Sequence, residues 1–282
     1  MRVTRRWTSR SSSLAINVGV DPPDFIRPRY GAGCFADLPQ TIRRLLTGQG
    51  ATGLVEGRYQ KVLLFFIDAF GWRFFAPRRE RYAFLRHFGE RGTVEQITAQ
   101  FPSTTAAHVT CMQTGLPPVQ SGVFEWQYYE PEADAIIKPL LYAMRDSPDR
   151  GSLEIAPEKI LPPGTLYQEL AAAGVTSHVF QPGEHFKSPY SKWTFRGAEK
   201  HPYRTLPSAL TNLRLLLDEV EGPAYFFLYF DGIDGVGHDH GPESPQFVAE
   251  VDAFLHNADR LFLQQVAGQH EDALLLVTAD HG

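Results

Sequence analysis

The chain has 282 residues, of which 43% are apolar, 12% aromatic and 21% charged, and 27 Lys and Arg against 32 Asp and Glu leave a net charge of −5. These proportions allow a sizeable core and exclude a chain disordered throughout, a collagen-like chain and a coiled coil. The charge balance gives no overall pull toward nucleic acid or an anionic membrane, no apolar run approaches the ~18 residues that span a bilayer, and the two cysteines, Cys34 and Cys111, form neither a disulfide framework nor a CxxC metal site.

In chain order, residues 1–30 begin basic and Ser-rich and are punctuated by Pro22, Pro23, Pro28 and then Gly31, which predicts a flexible leader ahead of one domain over 31–282. The LAINVGV stretch is interrupted by Asn and falls short of a secretory core, so the chain reads as cytoplasmic, with export as the alternative. Leu38, Ile42, Leu45 and Leu46 give helical spacing over 38–46. KVLLFFI at 61–67 is a continuous β-rich run, the mark of a strand covered on both faces. Helical periodicity follows near 79–88, then a short second strand is expected at 94–98 and a helix at 103–114, opened by hydroxyl residues suited to capping.

The stretch 121–205 is less regular, with a helix expected at 165–173 and a strand near 177–180. A helix at 206–221, a buried strand AYFFLYF at 224–230, a long helix at 244–267 and a last buried strand ALLLVT at 273–278 complete the series. Buried strands alternating with helices predict an α/β domain with a mainly parallel sheet. The sequence stops at Thr278-Ala279-Asp280-His281-Gly282, directly after a strand, and is expected to lack its C-terminal part.

Parallel sheets place functional groups just past the carboxyl ends of their strands. Three of the predicted strands run straight into metal-ligand residue types: the first into Asp68, the second into Asp231-Gly-Ile-Asp234-Gly-Val-Gly-His238-Asp-His240, the third into Asp280-His281. A lone Asp after a strand is ordinarily a turn or capping residue, and the Gly-rich segment alone reads as a solvated loop. Carboxylates and imidazoles gathered at one sheet edge, however, repel or desolvate one another unless a cation joins them. Three such coincidences favour a metal site, and an Asp/His set without thiolate suits Zn²⁺, with Mn²⁺ or another divalent ion as the alternative. The acidic spacing does not fit an EF-hand.

The segment Phe101-Pro102-Ser103-Thr104-Thr105-Ala106-Ala107-His108 adds a hydroxyl at a helix N-terminus, where backbone N–H groups favour a phosphate. A Thr hydroxyl becomes a nucleophile only when a metal or base lowers its pKa, and either Thr104 or Thr105 could equally serve as a plain helix cap. His108 reads as structural, Asp231 and His240 as partners orienting the ligands, Cys111 as a small buried residue and the arginines at 78, 79, 81, 86 and 91 as a solvated face. Trp126, Tyr128 and Tyr129 suit either a stacked aromatic leaving group or packing in a lid.

The order of Asp68, then PSTTAAHVTCMQTGLPP, Asp234-xxx-His238 and TADHG resembles the alkaline phosphatase superfamily, in particular its type I phosphodiesterase/nucleotide pyrophosphatase branch, over roughly 61–126 and 224–282. The resemblance implies a three-layer alkaline-phosphatase-like fold and two Zn²⁺. Asp68, Thr105, Asp280 and His281 would hold one ion, and Asp234 and His238, with a further His beyond Gly282, the other. The family's spacing to Thr114-Gly115 selects Thr105 as nucleophile. It also implies hydrolysis of phosphoric diesters or nucleotide pyrophosphates through a phospho-threonine intermediate, with a small phosphate ester or nucleotide as substrate and no nucleic acid as partner.

Two further departures from the family pattern bear on substrate. Pro118-Val-Gln-Ser121-Gly122 lacks a His often found there, and Glu125-Trp126-Gln127 stands where many relatives carry an Asn that holds a phosphate oxygen. A phosphomonoesterase or phosphonate hydrolase on the same scaffold, or a binding module without turnover, are the alternatives. Gly-x-Ser-x-Gly, P-loop and sulfatase motifs are absent.

Overall fold

A computed structural model describes residues 26–48, 55, 57–147 and 151–282. The expected leader falls mostly outside the described residues. At its end, the Arg29 guanidinium donates to the Gln96 carbonyl at 2.7 Å and the Tyr30 hydroxyl accepts from the Phe101 N–H at 3.0 Å, so this stretch is tied to the domain.

Helix α1 (Leu38–Thr47) and strand β1 (Lys61–Ile67) form where the apolar spacing predicts them, as does helix α2 (Ala83–Arg91), a few residues later than its periodicity suggests. Helix α3 (Thr105–Thr114) follows, then a small antiparallel sheet of β2 (Tyr128–Glu130), β3 (Ala135–Lys138) and β4 (Ala143–Met144). Helix α4 (Leu166–Ala172) is closed by a capping box in which the Thr165 hydroxyl accepts from the Gln168 N–H. Short helical turns aside, the chain continues through β5 (Thr176–Pro182), β6 (Glu199–Tyr203), α5 (Leu206–Glu219), β7 (Ala224–Phe230), α6 (Gly232–His240), α7 (Pro245–Asn257) and β8 (Ala273–Thr278).

The central sheet is entirely parallel, in the order β6-β5-β7-β1-β8. Alternate residues of each strand feed two cores. Leu63, Phe65 and Ile67 of β1 pack with apolar residues of α2, α5 and α7, whereas Val62, Leu64 and Phe66 pack with α1, α3 and α4. The result is the three-layer α/β architecture that the sequence predicts.

Three expectations are corrected. Residues 94–98 form no strand; only Thr98 makes an isolated bridge, to Cys34, because the polar run Glu95-Gln96 has no second neighbour to pair with. The last strand, β8, lies at the sheet edge and is half-buried along its whole length, since among the described residues it has one neighbour, β1. The long helix near 244–267 is not uniform: α7 passes into a wider π turn at Ala258–Leu263.

Candidate active site

Sheet register assembles the site. Ile67 of β1 pairs with Phe230 of β7, and Phe66 pairs with Thr278 of β8. Continuing one and two residues puts Asp68, Asp231 and Asp280 on a common level at the carboxyl edge, as expected for a parallel sheet. Ala69 then takes a left-handed backbone with φ of 61°, a conformation that costs a non-glycine residue on the order of 1 kcal/mol. Its N–H donates to Asp280 Oδ1 at 3.2 Å, which locks the turn after β1 to the turn after β8.

Two glycines let those turns touch. A Cβ on Gly71 would lie 2.4 Å from the Gly282 carbonyl oxygen, and one on Gly282 would lie 2.2 Å from that of Ala69. Any side chain at either place would push the Asp280-His281 segment away from Asp68.

Within this frame, Asp68, Asp234 and His281 bring one ligand atom each to within 4.8 Å of one another. His281 Nε2 lies 3.3 Å from Asp68 Oδ1, 3.6 Å from Asp280 Oδ2 and 3.8 Å from Asp234 Oδ1. Thr105, the first residue of α3, places its hydroxyl 3.4 Å from Asp68 Oδ1 and 3.4 Å from His281 Nε2. The neighbouring Thr104 hydroxyl oxygen accepts from the Ala107 N–H instead and caps the helix. Of the two adjacent threonines, Thr104 caps the helix and Thr105 faces Asp68 and His281.

The electrostatics call for a cation. Asp68 and Asp280 are buried, and Asp280 Oδ2 has no hydrogen-bond partner. Burial, reinforced by the nearby Asp68 carboxylate, raises the Asp280 carboxyl to about 7, and burial also raises Asp234. For His281, burial works against the charged ring, but the hydrogen bond to Asp68 and the charges of Asp280, Asp68 and Asp234 outweigh it and raise it to about 9. A cluster that must take up protons to relieve its own repulsion is one that fits a divalent ion, and the orphaned oxygen of Asp280 supplies a further donor.

Asp234 and His238 lie four residues apart on α6, so one helix face presents both. His238 Nε2 is 3.4 Å from Asp234 Oδ2, yet its side chain is 81% exposed and stands outside the cluster of Asp68, Asp234 and His281. His240 is exposed. Asp231 accepts from His185 Nε2 at 2.6 Å. Buried Cys111 and buried His108 sit on α3 as expected, while Trp126 and Tyr129 are exposed beside buried Tyr128.

Two residues escaped sequence reasoning. The Tyr229 hydroxyl donates to Asp68 Oδ2, and burial holds the phenol far above its usual range, so it remains a donor. The signal was a tyrosine near the end of a buried strand, whose polar tip needs a partner. His185 carried no comparable signal, since it lies in the irregular middle segment.

A family model described as type I phosphodiesterase / nucleotide pyrophosphatase matches residues 62–282. Among solved structures, murine ectonucleotide pyrophosphatase / phosphodiesterase 5, in an inactive form in complex with AMP, is similar with a TM-score of 0.60 and 22% identity, covering 79% of this chain and 57% of that one. The human counterpart gives a TM-score of 0.58 with 21% identity, over 79% of this chain and 57% of that one. Phosphonoacetate hydrolase from Sinorhizobium meliloti, in complex with phosphonoacetate, gives 0.52 with 18% identity, over 80% of this chain and 57% of that one. At these identities the likeness is one of fold, and the chain spans little more than half the length of these proteins. A comparison with curated proteins gave no match. Among the described residues, no helix is long and apolar enough to cross a membrane.

Proposed function

The chain belongs to the type I phosphodiesterase / nucleotide pyrophosphatase family, in the alkaline phosphatase superfamily, and on that premise we propose that it serves a divalent-metal-dependent hydrolysis of phosphoric diesters or nucleotide pyrophosphates in which Thr105 is the nucleophile. The observation that carries this reading is the Thr105 hydroxyl, 3.4 Å from both Asp68 Oδ1 and His281 Nε2 at the mouth of a carboxylate-rich cluster.

Asp68, Asp280 and His281 would hold one Zn²⁺ with Thr105, and Asp234 with His238 would hold part of a second. Such ions supply charge neutralisation of the phosphate oxygens and of the developing alkoxide. The chain's own groups do the rest. Thr105 Oγ1 attacks phosphorus in line, its proton leaves toward Asp68 Oδ1, and the bond from phosphorus to the leaving oxygen breaks. Water then cleaves the phospho-threonine bond and restores the hydroxyl. Tyr229 fixes one oxygen of Asp68, which leaves Oδ1 facing Thr105. The free N–H groups of the first turn of α3 would favour an anionic phosphoryl group held beside Thr105.

The AMP complex of the murine protein favours a nucleotide-type substrate, whereas the phosphonoacetate complex favours a small phosphonate. Turnover of bis-p-nitrophenyl phosphate, p-nitrophenyl phosphate and phosphonoacetate in the presence of Zn²⁺ separates these classes, with the diester expected to react fastest. Thr105→Ala should lower kcat/KM for the preferred substrate by at least about a thousandfold, with little change in melting temperature. Turnover by that variant at the wild-type rate would remove Thr105 from the role.

A further inference from the structure

A second group of potential ligands lies at the opposite end of the sheet. His178 of β5 pairs in register with Glu199 of β6, and His201, two residues further along β6, shares the face of Glu199. His178 also pairs with Phe226 of β7. Asp231 lies five residues beyond Phe226, so along the strand direction alone the group is displaced about 16 Å from the carboxyl edge that carries the candidate active site, at ~3.3 Å per strand residue.

Both rings are held in place by aromatic neighbours. His178 stacks on Phe226 with centroids 5.1 Å apart, and His201 stacks on Phe180 at 4.6 Å. In these orientations His178 Nδ1 lies 3.2 Å from His201 Nε2 and 3.4 Å from Glu199 Oε2, which is itself 4.0 Å from His201 Nε2. Donor atoms around a tetrahedral Zn²⁺ at ~2.1 Å stand about 3.4 Å apart, close to the first two separations and somewhat shorter than the third.

On its other side, His178 Nε2 is buried without a hydrogen-bond partner, so no interior contact fixes the tautomer. Glu199, with its side chain 69% exposed, leaves the group open to solvent for an incoming ion and a water to complete the shell. We propose that His178, Glu199 and His201 form a divalent-cation site for Zn²⁺ or a similar borderline metal, distinct from the one beside Thr105, that staples edge strand β6 to β5. The competing arrangement, one N–H shared between the two rings, takes up no metal.

The two sites can be tested apart. In a chain carrying Asp68→Asn and Asp234→Asn, which disables the first cluster, calorimetric titration with Zn²⁺ should still find one equivalent bound and a higher melting temperature with Zn²⁺ than with EDTA. Adding His201→Gln should abolish both the bound equivalent and the difference in melting temperature between Zn²⁺ and EDTA. Glu199→Gln should weaken binding at least tenfold. If the double variant does not fold, the wild-type chain and its His201→Gln variant are compared instead, and the variant should hold one equivalent fewer. No bound equivalent in the folded double variant, or equal stoichiometry with and without His201→Gln, overturns the proposal.

Discussion

His108 is fully buried one turn into α3, and both of its ring nitrogens are engaged. Nε2 accepts the Gln100 N–H at 3.2 Å and Nδ1 donates to the Thr104 carbonyl at 2.9 Å. The ring therefore clamps the segment leading into the two threonines, and a second proton would cost the bond to Gln100. Burial accordingly lowers its pKa from 6.5 to about 4. The sign follows directly: between those values the unfolded chain binds a proton that the folded chain refuses, so stability is lost as pH falls from 6.5 toward 4. At about 1.4 kcal/mol per unit, this amounts to on the order of 3 kcal/mol. Denaturant melts at pH 7 and pH 4 should show a smaller loss for His108→Gln than for wild type, and an equal loss would contradict the assignment. At this scale the sequence identified residue types well and their roles unevenly. A capping hydroxyl and the proposed nucleophile look alike in sequence until the first accepts the Ala107 N–H and the second meets Asp68.

Helix α6 marks the limit of sequence reading at the scale of elements. Its residues, GIDGVGHDH, include three glycines and two aspartates, all poor helix formers, and read as a solvated loop. The helix forms because tertiary packing overrides propensity: Ile233 is buried among core residues of β7 and α7. One of its glycines is tightly packed, since a Cβ on Gly232 would sit 2.5 Å from the Phe230 ring and 2.8 Å from Glu250 Oε1, and those side chains would have to shift. Gly235 is different, for a Cβ there meets nothing within 4 Å. Gly235→Ala should stabilise the chain by roughly 0.5–1 kcal/mol in chemical denaturation. A destabilised variant would mean that the helix is not the native form of this segment. Strands β1 and β7 were legible because continuous β-branched and aromatic runs have few other uses. Strands β2, β3 and β4, at three, four and two residues, are too short to carry a period.

Across the whole molecule, the site exists because a parallel sheet aligns three strand ends that lie far apart in sequence. Asp68, Asp234 and His281 are separated by 166 and 47 positions, and register brings them together with the N-terminus of α3 beside them. The convergence was legible because each strand ends in the same class of residue; the outward position of His238 was not, since spacing along α6 fixes a face but not the reach of a side chain. On the proposed function, cation binding by these carboxylates and this imidazole takes place next to the Thr105 hydroxyl. Its most direct test is an anomalous difference map at the zinc absorption edge from crystals grown with Zn²⁺. A peak about 2.0–2.2 Å from oxygens of Asp68 or Asp280 and from His281 Nε2, with Thr105 Oγ1 in reach, is the predicted result. Saturating Zn²⁺ with no ion bound by Asp68, Asp280 and His281 would contradict it.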